Sequence, residues 1–316
     1  MKKEAIVLLN MGGPNNLEEV EVFLTNMFND KNIITVGSSL LRSFIAKMIT
    51  FTRTEKSQEI YRQIGGKSPI VGHTKNLVAK LQDRVGENII VDFAMRYTPP
   101  FASEVIARLQ GQDIEKIYLI PLYPQCSTTT TKSSLEDFEE QYHLNGEDAI
   151  LVEIKHFFEN QNYNKAILER IKERVSVGES AEFDIIFSAH GLPVKVIERG
   201  DVYQRHVEKH VRILTKMLEE EGMQFANVHL AYQSKVGPME WLKPSLEEKL
   251  TEIKSRNVVI FPIAFTIDNS ETDFELEIEY REAAHELGFK EYRVCRCPND
   301  SDYFVEALIE LYAKMR

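Results

Sequence analysis

Seven short apolar runs are the strongest constraint on the fold: AIVLL, IIVDFAM, IYLIPLY, AILVEI, FDIIFSA, VHLAY and VVIFPIAF. Most are rich in Ile, Val, Phe and Tyr, and amphipathic helical stretches separate them. A strand that is apolar at nearly every position has to be covered on both faces. Parallel sheets meet that need, because their crossover helices lie over both sides. Strands alternating with helices therefore predict an α/β chain built on parallel sheets.

The runs also repeat. AIVLLNMGGPNNLEEV near the start echoes FDIIFSAHGLPVKVIERG in the middle, each reading strand, polar residue, small turn, proline, helix. VDFAMRYTPP matches VHLAYQSKVGP, and IYLIPLYPQ matches VVIFPIAFT, with proline inside each buried run (Pro121, Pro262). The order of the three units is the same in both halves, which points to two similar α/β domains. We place the first at about 1–153 and the second at about 154–299. The segment 300–316 reads as an amphipathic helix with Ser301 as its N-cap, packing back on the first domain.

Bulk properties exclude several classes. A net charge of −11 argues against nucleic-acid binding. The three cysteines (Cys126, Cys295, Cys297) are too few for a disulfide framework, which suits a reducing compartment. They also cannot supply the four thiolates of an iron–sulfur cluster within one chain. The start, MKKEAIVLLNMGGP, reads as a first buried strand rather than a signal peptide, since Glu4 interrupts it and Asn10, Gly12, Gly13 and Pro14 end it. No stretch reaches the ~18–20 apolar residues of a spanning helix. A cytoplasmic protein is expected, with the option of resting on a membrane surface.

In open α/β sheets ligands bind beyond the carboxyl ends of the strands. The residues to examine there are Met11, Arg96, Tyr97, Tyr123, His190, Tyr232 and Asp268. Neither GxGxxG nor GxxxxGK[ST] occurs, which argues against a dinucleotide or nucleotide enzyme. His190 follows FDIIFSA directly and can accept a proton near neutral pH, or simply cap the strand end. In TIDNSETDFELEIEYREAAHELG, Ser270 can cap a helix starting near Glu271, which puts Glu271, Glu275 and Glu279 on one face. Like charges four apart repel by a few tenths of a kcal/mol per pair. A parallel row, Asp273 and Glu277, ends favourably at Arg281, whereas the Glu271 row meets no base. Such a row either is solvated or wants a cation, a proton or a metal; Asp268 and Asn269 add oxygen donors. The hydroxyls of YPQCSTTTTKSS suit helix capping or anion binding. Residues 33–51 gather Leu41, Phe44, Ile45 and Met48 on one helical face, giving either a core helix or an apolar lip.

Taken together, these segments resemble the ferrochelatase family. Seven motifs occur in order through nearly the whole chain: LLNMGGP, YRQIGGKSPI, MRYTPP, YPQCSTTTTKSS, FSAHGLP with RGDVY, YQSKVGPMEWLKP, and FTIDNSETDFELEIEY. The resemblance implies two Rossmann-like domains, each a parallel sheet flanked by helices, and a lyase that inserts ferrous iron into a porphyrin. It makes His190 and Glu271 the catalytic and metal-contacting pair, and Asp268, Glu275 and Glu279 a metal or proton path. Met11, Arg53, Tyr61, Ser68, Arg96, Tyr97, Tyr123, Tyr232 and Phe265 become porphyrin contacts, and the 33–53 segment a porphyrin-gripping lip. Porphyrin and Fe²⁺ are then substrates, with no permanent cofactor, and a monomer is expected.

Three departures matter. Asn269 stands where the family often has histidine. Tyr232 stands where tryptophan is common. The chain also ends without the cysteine-bearing extension of cluster-containing members, so no iron–sulfur cluster is expected. Met11, rather than tyrosine, favours protoporphyrin over coproporphyrin. Other readings are a coproporphyrin enzyme, another tetrapyrrole chelatase, or a non-catalytic heme or porphyrin carrier.

Overall fold

The structure, a computed structural model, describes residues 3–144, 148–234, 237 and 239–316. The chain divides into two compact units: Met1–His156 with Leu308–Arg316, and Phe157–Ala307.

The first unit holds a four-stranded parallel sheet of β1 (Lys3–Asn10), β2 (Ile89–Met95), β3 (Ile114–Pro121) and β4 (Ile150–Glu153), in the order β2-β1-β3-β4. Ala5, Ile6, Val7 and Leu8 of β1 have no exposed surface, as a central parallel strand under helices on both faces requires. One face packs Val7, Leu9, Val105, Ile106 and Phe138 into a single cluster. At the far end of the chain Tyr312 donates its hydroxyl to Glu4 and meets Tyr118 edge-on, with ring centroids 4.9 Å apart.

The second unit repeats the plan with β5 (Asp184–His190), β6 (Asn227–Gln233), β7 (Asn257–Pro262) and β8 (Glu291–Val294), ordered β6-β5-β7-β8. The two prolines seen in the sequence are equivalent: Pro121 pairs with Leu9, and Pro262 with Ser188. The residue after each proline donates to the central strand, Leu122 to the Leu9 carbonyl at 2.7 Å and Ile263 to the Ser188 carbonyl at 2.9 Å. Strand β8 is not among the seven apolar runs. It is four residues long, carries Glu291 and Arg293, and lies at the sheet edge, where polar side chains are tolerated.

Two helical segments differ from expectation. Thr128–Lys132 and Glu271–Glu279 are π-helical, each following the third strand of its sheet. Their wide turns show as i→i−5 bonds, Lys132 N–H to Ser127 and Tyr280 N–H to Glu275. Ser270 does not cap the second segment with its side chain. Asn269 does so instead: its Oδ1 accepts the Glu271 N–H at 2.8 Å, while its Nδ2 holds the Ile267 carbonyl at 3.1 Å. Ser301 accepts the Phe304 N–H as expected, at the start of helix Asp302–Met315.

The 33–53 segment contributes to a long helix, Ser39–Gln63, capped by Ser38. Its apolar face is not core. Leu40 (83% exposed), Phe44 (61%) and Phe51 (89%) all stand in solvent. Among the described residues no helix is long and apolar enough to cross a membrane.

Candidate active site

In the order β6-β5-β7-β8 the chain leaves β5 towards one edge and returns on the other side, so the winding reverses between β5 and β7. Connections diverge at such a switch point and leave a crevice beyond the strand ends. His190 is the last residue of β5. The chain following β7 carries Phe265, Asn269 and Glu271. The reversal therefore places these groups together.

His190 Nδ1 lies 2.8 Å from Glu271 Oε2. An ionised carboxylate only accepts, so Nδ1 carries the proton and, in the neutral ring, Nε2 carries the lone pair. The Phe265 ring stands edge-on to the imidazole at 6.4 Å. Tyr203, in the helix Tyr203–Glu220, donates to the His190 carbonyl at 2.9 Å and fixes the strand end. Gly191 donates to the Gln233 carbonyl at 2.8 Å, and a Cβ on Gly191 would fall 2.8 Å from that same oxygen. Only glycine allows this approach.

Behind the pair lies Glu275, one turn further along the π segment. Ser234 joins the two acids: its hydroxyl is 2.7 Å from Glu271 Oε2 and 2.6 Å from Glu275 Oε2, and its N–H donates to Glu275 Oε1 at 2.7 Å. Gln233 Nε2 faces both carboxylates at 3.4 and 3.5 Å, its amide oriented by the Ser188 hydroxyl at 2.7 Å.

This packing separates the protonation tendencies. Burial opposes charge on His190, but the adjacent Glu271 carboxylate outweighs it and raises the imidazole above its ordinary value. Burial likewise pushes Glu271 up, yet the charge and hydrogen bond of His190 and the bonds from Ser234 and Gln233 hold it low. Glu275, buried beside an already charged Glu271, is pushed up to about 7. Two neighbouring carboxylates with opposite tendencies mark a site able to hold and pass protons.

Asp268, assigned to the path by resemblance, is buried and accepts from two partners. Its Oδ1 accepts the Cys297 N–H at 2.8 Å and its Oδ2 the Asn299 side-chain amide at 2.6 Å. It fastens the loop after β7 to the loop after β8 and is only 4% exposed. Glu279 is exposed, so the row runs from half-buried Glu271 and Glu275 to solvent. Tyr232, expected as a stacking wall, is only 3% exposed. Ser234 and Gln233 were not singled out from the sequence, although both sit at the end of β6, where the strand-end rule looks. Lys235, Val236 and Pro238 of the YQSKVGP motif lie outside the described residues.

The remaining candidates belong to the first unit. Met11, Tyr61 and Tyr97 share one apolar cluster with Val20, Phe23 and Leu24. Tyr97 donates its hydroxyl to buried Asp30 at 2.8 Å, which the Ser133 hydroxyl also approaches. Arg96 reaches Ser133 at 3.0 Å and pairs with Asp137 at 3.1 Å and with Asp30 at 3.5 Å. Tyr123 pairs with the Ser134 hydroxyl at 3.1 Å. Arg53 lies over the Phe28 ring at 5.8 Å, and Ser68 is buried against Gly13. Among the described residues no group of three or more His, Cys, Asp or Glu is arranged to hold a metal ion.

Two four-stranded parallel sheets flanked by helices are a fold shared with solved chelatases. SirB from Bacillus subtilis, solved with Fe³⁺, superposes with a TM-score of 0.58 at 12% identity, covering 99% of this chain and 95% of its own. CbiX, described as the terminal enzyme for siroheme biosynthesis in denitrifying bacteria, gives 0.50 at 10% identity over the whole of both chains. At these identities the likeness is one of fold. The sequence is more specific: the ferrochelatase family model matches residues 3–316. A ferrochelatase from Sulfurimonas denitrificans is 81% identical over 316 residues, 100% of each chain. One from Helicobacter pylori is 44% identical over 99% of this chain and 94% of its own. This chain belongs to the ferrochelatase family.

Proposed function

We propose that the chain is a lyase that inserts Fe²⁺ into protoporphyrin IX, releasing two protons and forming protoheme, the terminal step of heme biosynthesis. The observation that carries this reading is the 2.8 Å pair of His190 and Glu271 at the sheet's switch point. A free-base porphyrin holds two inner N–H protons, and both must leave as the metal enters. His190 Nε2 is the acceptor, and Glu271 fixes the ring so that this nitrogen faces outward and stabilises the imidazolium that forms. General-base assistance of this kind contributes about 10²–10⁴-fold. Glu275 and solvent-facing Glu279 lie along one route outward for the protons.

Iron is a substrate that must be handed on, so its contacts should be few. His190 and Glu271 spend Nδ1 and Oε2 on each other, which suits brief, incomplete coordination. Met11, Arg53, Tyr61, Ser68, Arg96, Tyr97 and Tyr123 are carried as porphyrin contacts by the family resemblance, Phe265 with additional support from its place beside His190. Methionine at position 11 favours protoporphyrin over coproporphyrin. The exposed apolar face of Ser39–Gln63 suits gripping a hydrophobic ring and resting on the cytoplasmic face of a membrane.

The test is anaerobic insertion of ferrous iron into protoporphyrin and coproporphyrin side by side, with sirohydrochlorin as a third substrate. Protoporphyrin should be metallated fastest. Tight porphyrin binding with no insertion would make the protein a carrier, and preference for sirohydrochlorin would make it a different chelatase.

A further inference from the structure

We propose that Ser234 is the positioning residue through which protons pass between Glu271 and Glu275, its hydroxyl serving as the bridge. This rests on the lyase reading above and assigns a part to a residue outside the pair that meets the substrate. The geometry is a donor count. One hydroxyl has one proton and two lone pairs, yet it lies 2.7 Å from Glu271 Oε2 and 2.6 Å from Glu275 Oε2. It cannot donate to both. The arrangement is fully satisfied only when Ser234 donates to one carboxylate and accepts from the other, protonated one. The two arrangements differ only in which acid holds the extra proton.

The step balances. A proton delivered by the imidazolium Nδ1 to Glu271 Oε2 moves to Ser234 Oγ while the original hydroxyl proton passes to Glu275 Oε2. One O–H bond forms on serine and one breaks, and the serine stays neutral. Rotation of the hydroxyl resets the bridge. The Gln233 amide, oriented by Ser188, faces the same oxygens and cannot replace it, because an amide donates without exchanging places with an acid proton.

The backbone supports a specific role. Ser234 sits at φ +66°, in the left-handed region that costs a non-glycine residue strain. That turn aims both its N–H and its hydroxyl at the π segment. The N–H holds Glu275 Oε1 at 2.7 Å whatever the side chain, so removing the hydroxyl tests the bridge without releasing Glu275.

The experiment compares the full-length parent with Ser234→Gly and Ser234→Ala, in ferrous-iron insertion into protoporphyrin in H₂O and D₂O, with porphyrin affinity by fluorescence quenching and thermal melting alongside. Glycine is the decisive variant, because it relaxes the left-handed turn and should melt no lower than the parent. The expected result is a kcat reduced about tenfold or more in both variants, with unchanged porphyrin affinity and a larger solvent isotope effect. If Ser234→Gly turns over within twofold of the parent, or if its loss lies wholly in KM, the bridge is overturned. A parent that metallates no porphyrin would sink the lyase reading and the bridge together, whereas an active parent with an active glycine variant sinks the bridge alone.

Discussion

An imidazole that donates one ring proton to a carboxylate keeps its other nitrogen for chemistry, and the same carboxylate decides at what pH that nitrogen is free. Glu271 raises His190, so the neutral, proton-accepting form dominates only above the ordinary histidine value of about 6.5. Turnover should climb with pH through a value above 6.5. Glu271→Gln removes the charge that raises it, so the limb should move to lower pH while the plateau falls, as a pH profile of kcat/KM will show. Gly191 offers a second test: Gly191→Ala brings a methyl against the Gln233 carbonyl and should cost about 1–3 kcal/mol, read in thermal melts. Histidine and glutamate were legible because strand ends collect functional groups and because an acid row without bases is conspicuous. For Asp268 the sequence shows an acceptor's chemistry but not its partners; Cys297 and Asn299, far along the chain, donate to its two oxygens. Ser234 and Gln233 escaped notice because a single serine or glutamine carries no charge pattern.

At the scale of elements, strands under helices are rich in apolar residues, so seven of the eight described strands could be read from their apolar runs. Edge strand β8 could not, since its position lets it carry charge. The π segments were invisible for another reason. A four-residue spacing aligns side chains in α- and π-helices alike, so the Glu271 row is the same pattern in both. The expected repulsion between Glu271 and Glu275 is relieved by Ser234 and by Glu275 remaining largely protonated until pH nears 7. The start of that segment depends on Asn269, whose amide bonds both Glu271 N–H and the Ile267 carbonyl. Asn269→Ala should lose about 1 kcal/mol, the usual worth of such a cap, and lower kcat through Glu271, measurable by urea titration and turnover. The helix Ser39–Gln63 carries a separable prediction. Replacing Leu40, Phe44 and Phe51 with serine should leave the melting temperature nearly unchanged, because these side chains are exposed, but should reduce sedimentation with anionic vesicles. Unchanged sedimentation would end the membrane reading of that face.

For the molecule as a whole, the repeated plan allows equivalent places in the two units to be compared. Beyond the strand ends of the first unit, Arg96, Asp30, Ser133 and Asp137 form a network built on a permanent cation. In the second, the corresponding region holds His190, raised by the Glu271 carboxylate, and Glu275, pushed up to about 7 beside a Glu271 that is held low. The same plan thus holds an arginine-centred ion-pair network in one unit and an imidazole–carboxylate cluster in the other. The second unit also carries a titratable group unrelated to that site. His210 is fully buried, with Nε2 2.8 Å from Asn164 Oδ1. Burial lowers it to about 3, so the folded ring stays neutral while the unfolded one takes up a proton below about 6.5. The unfolded state binds more protons in that window, and stability must fall as pH drops from about 6.5 towards 3. The chain's single tryptophan, Trp241, lies in this unit and reports its unfolding. His210→Gln keeps a donor for Asn164 and removes the titration. Between pH 7 and pH 5 the parent should therefore lose about 2 kcal/mol more than the variant, read as the shift of the urea midpoint in tryptophan fluorescence. Equal losses would mean that the buried imidazole contributes nothing to the acid sensitivity of this unit.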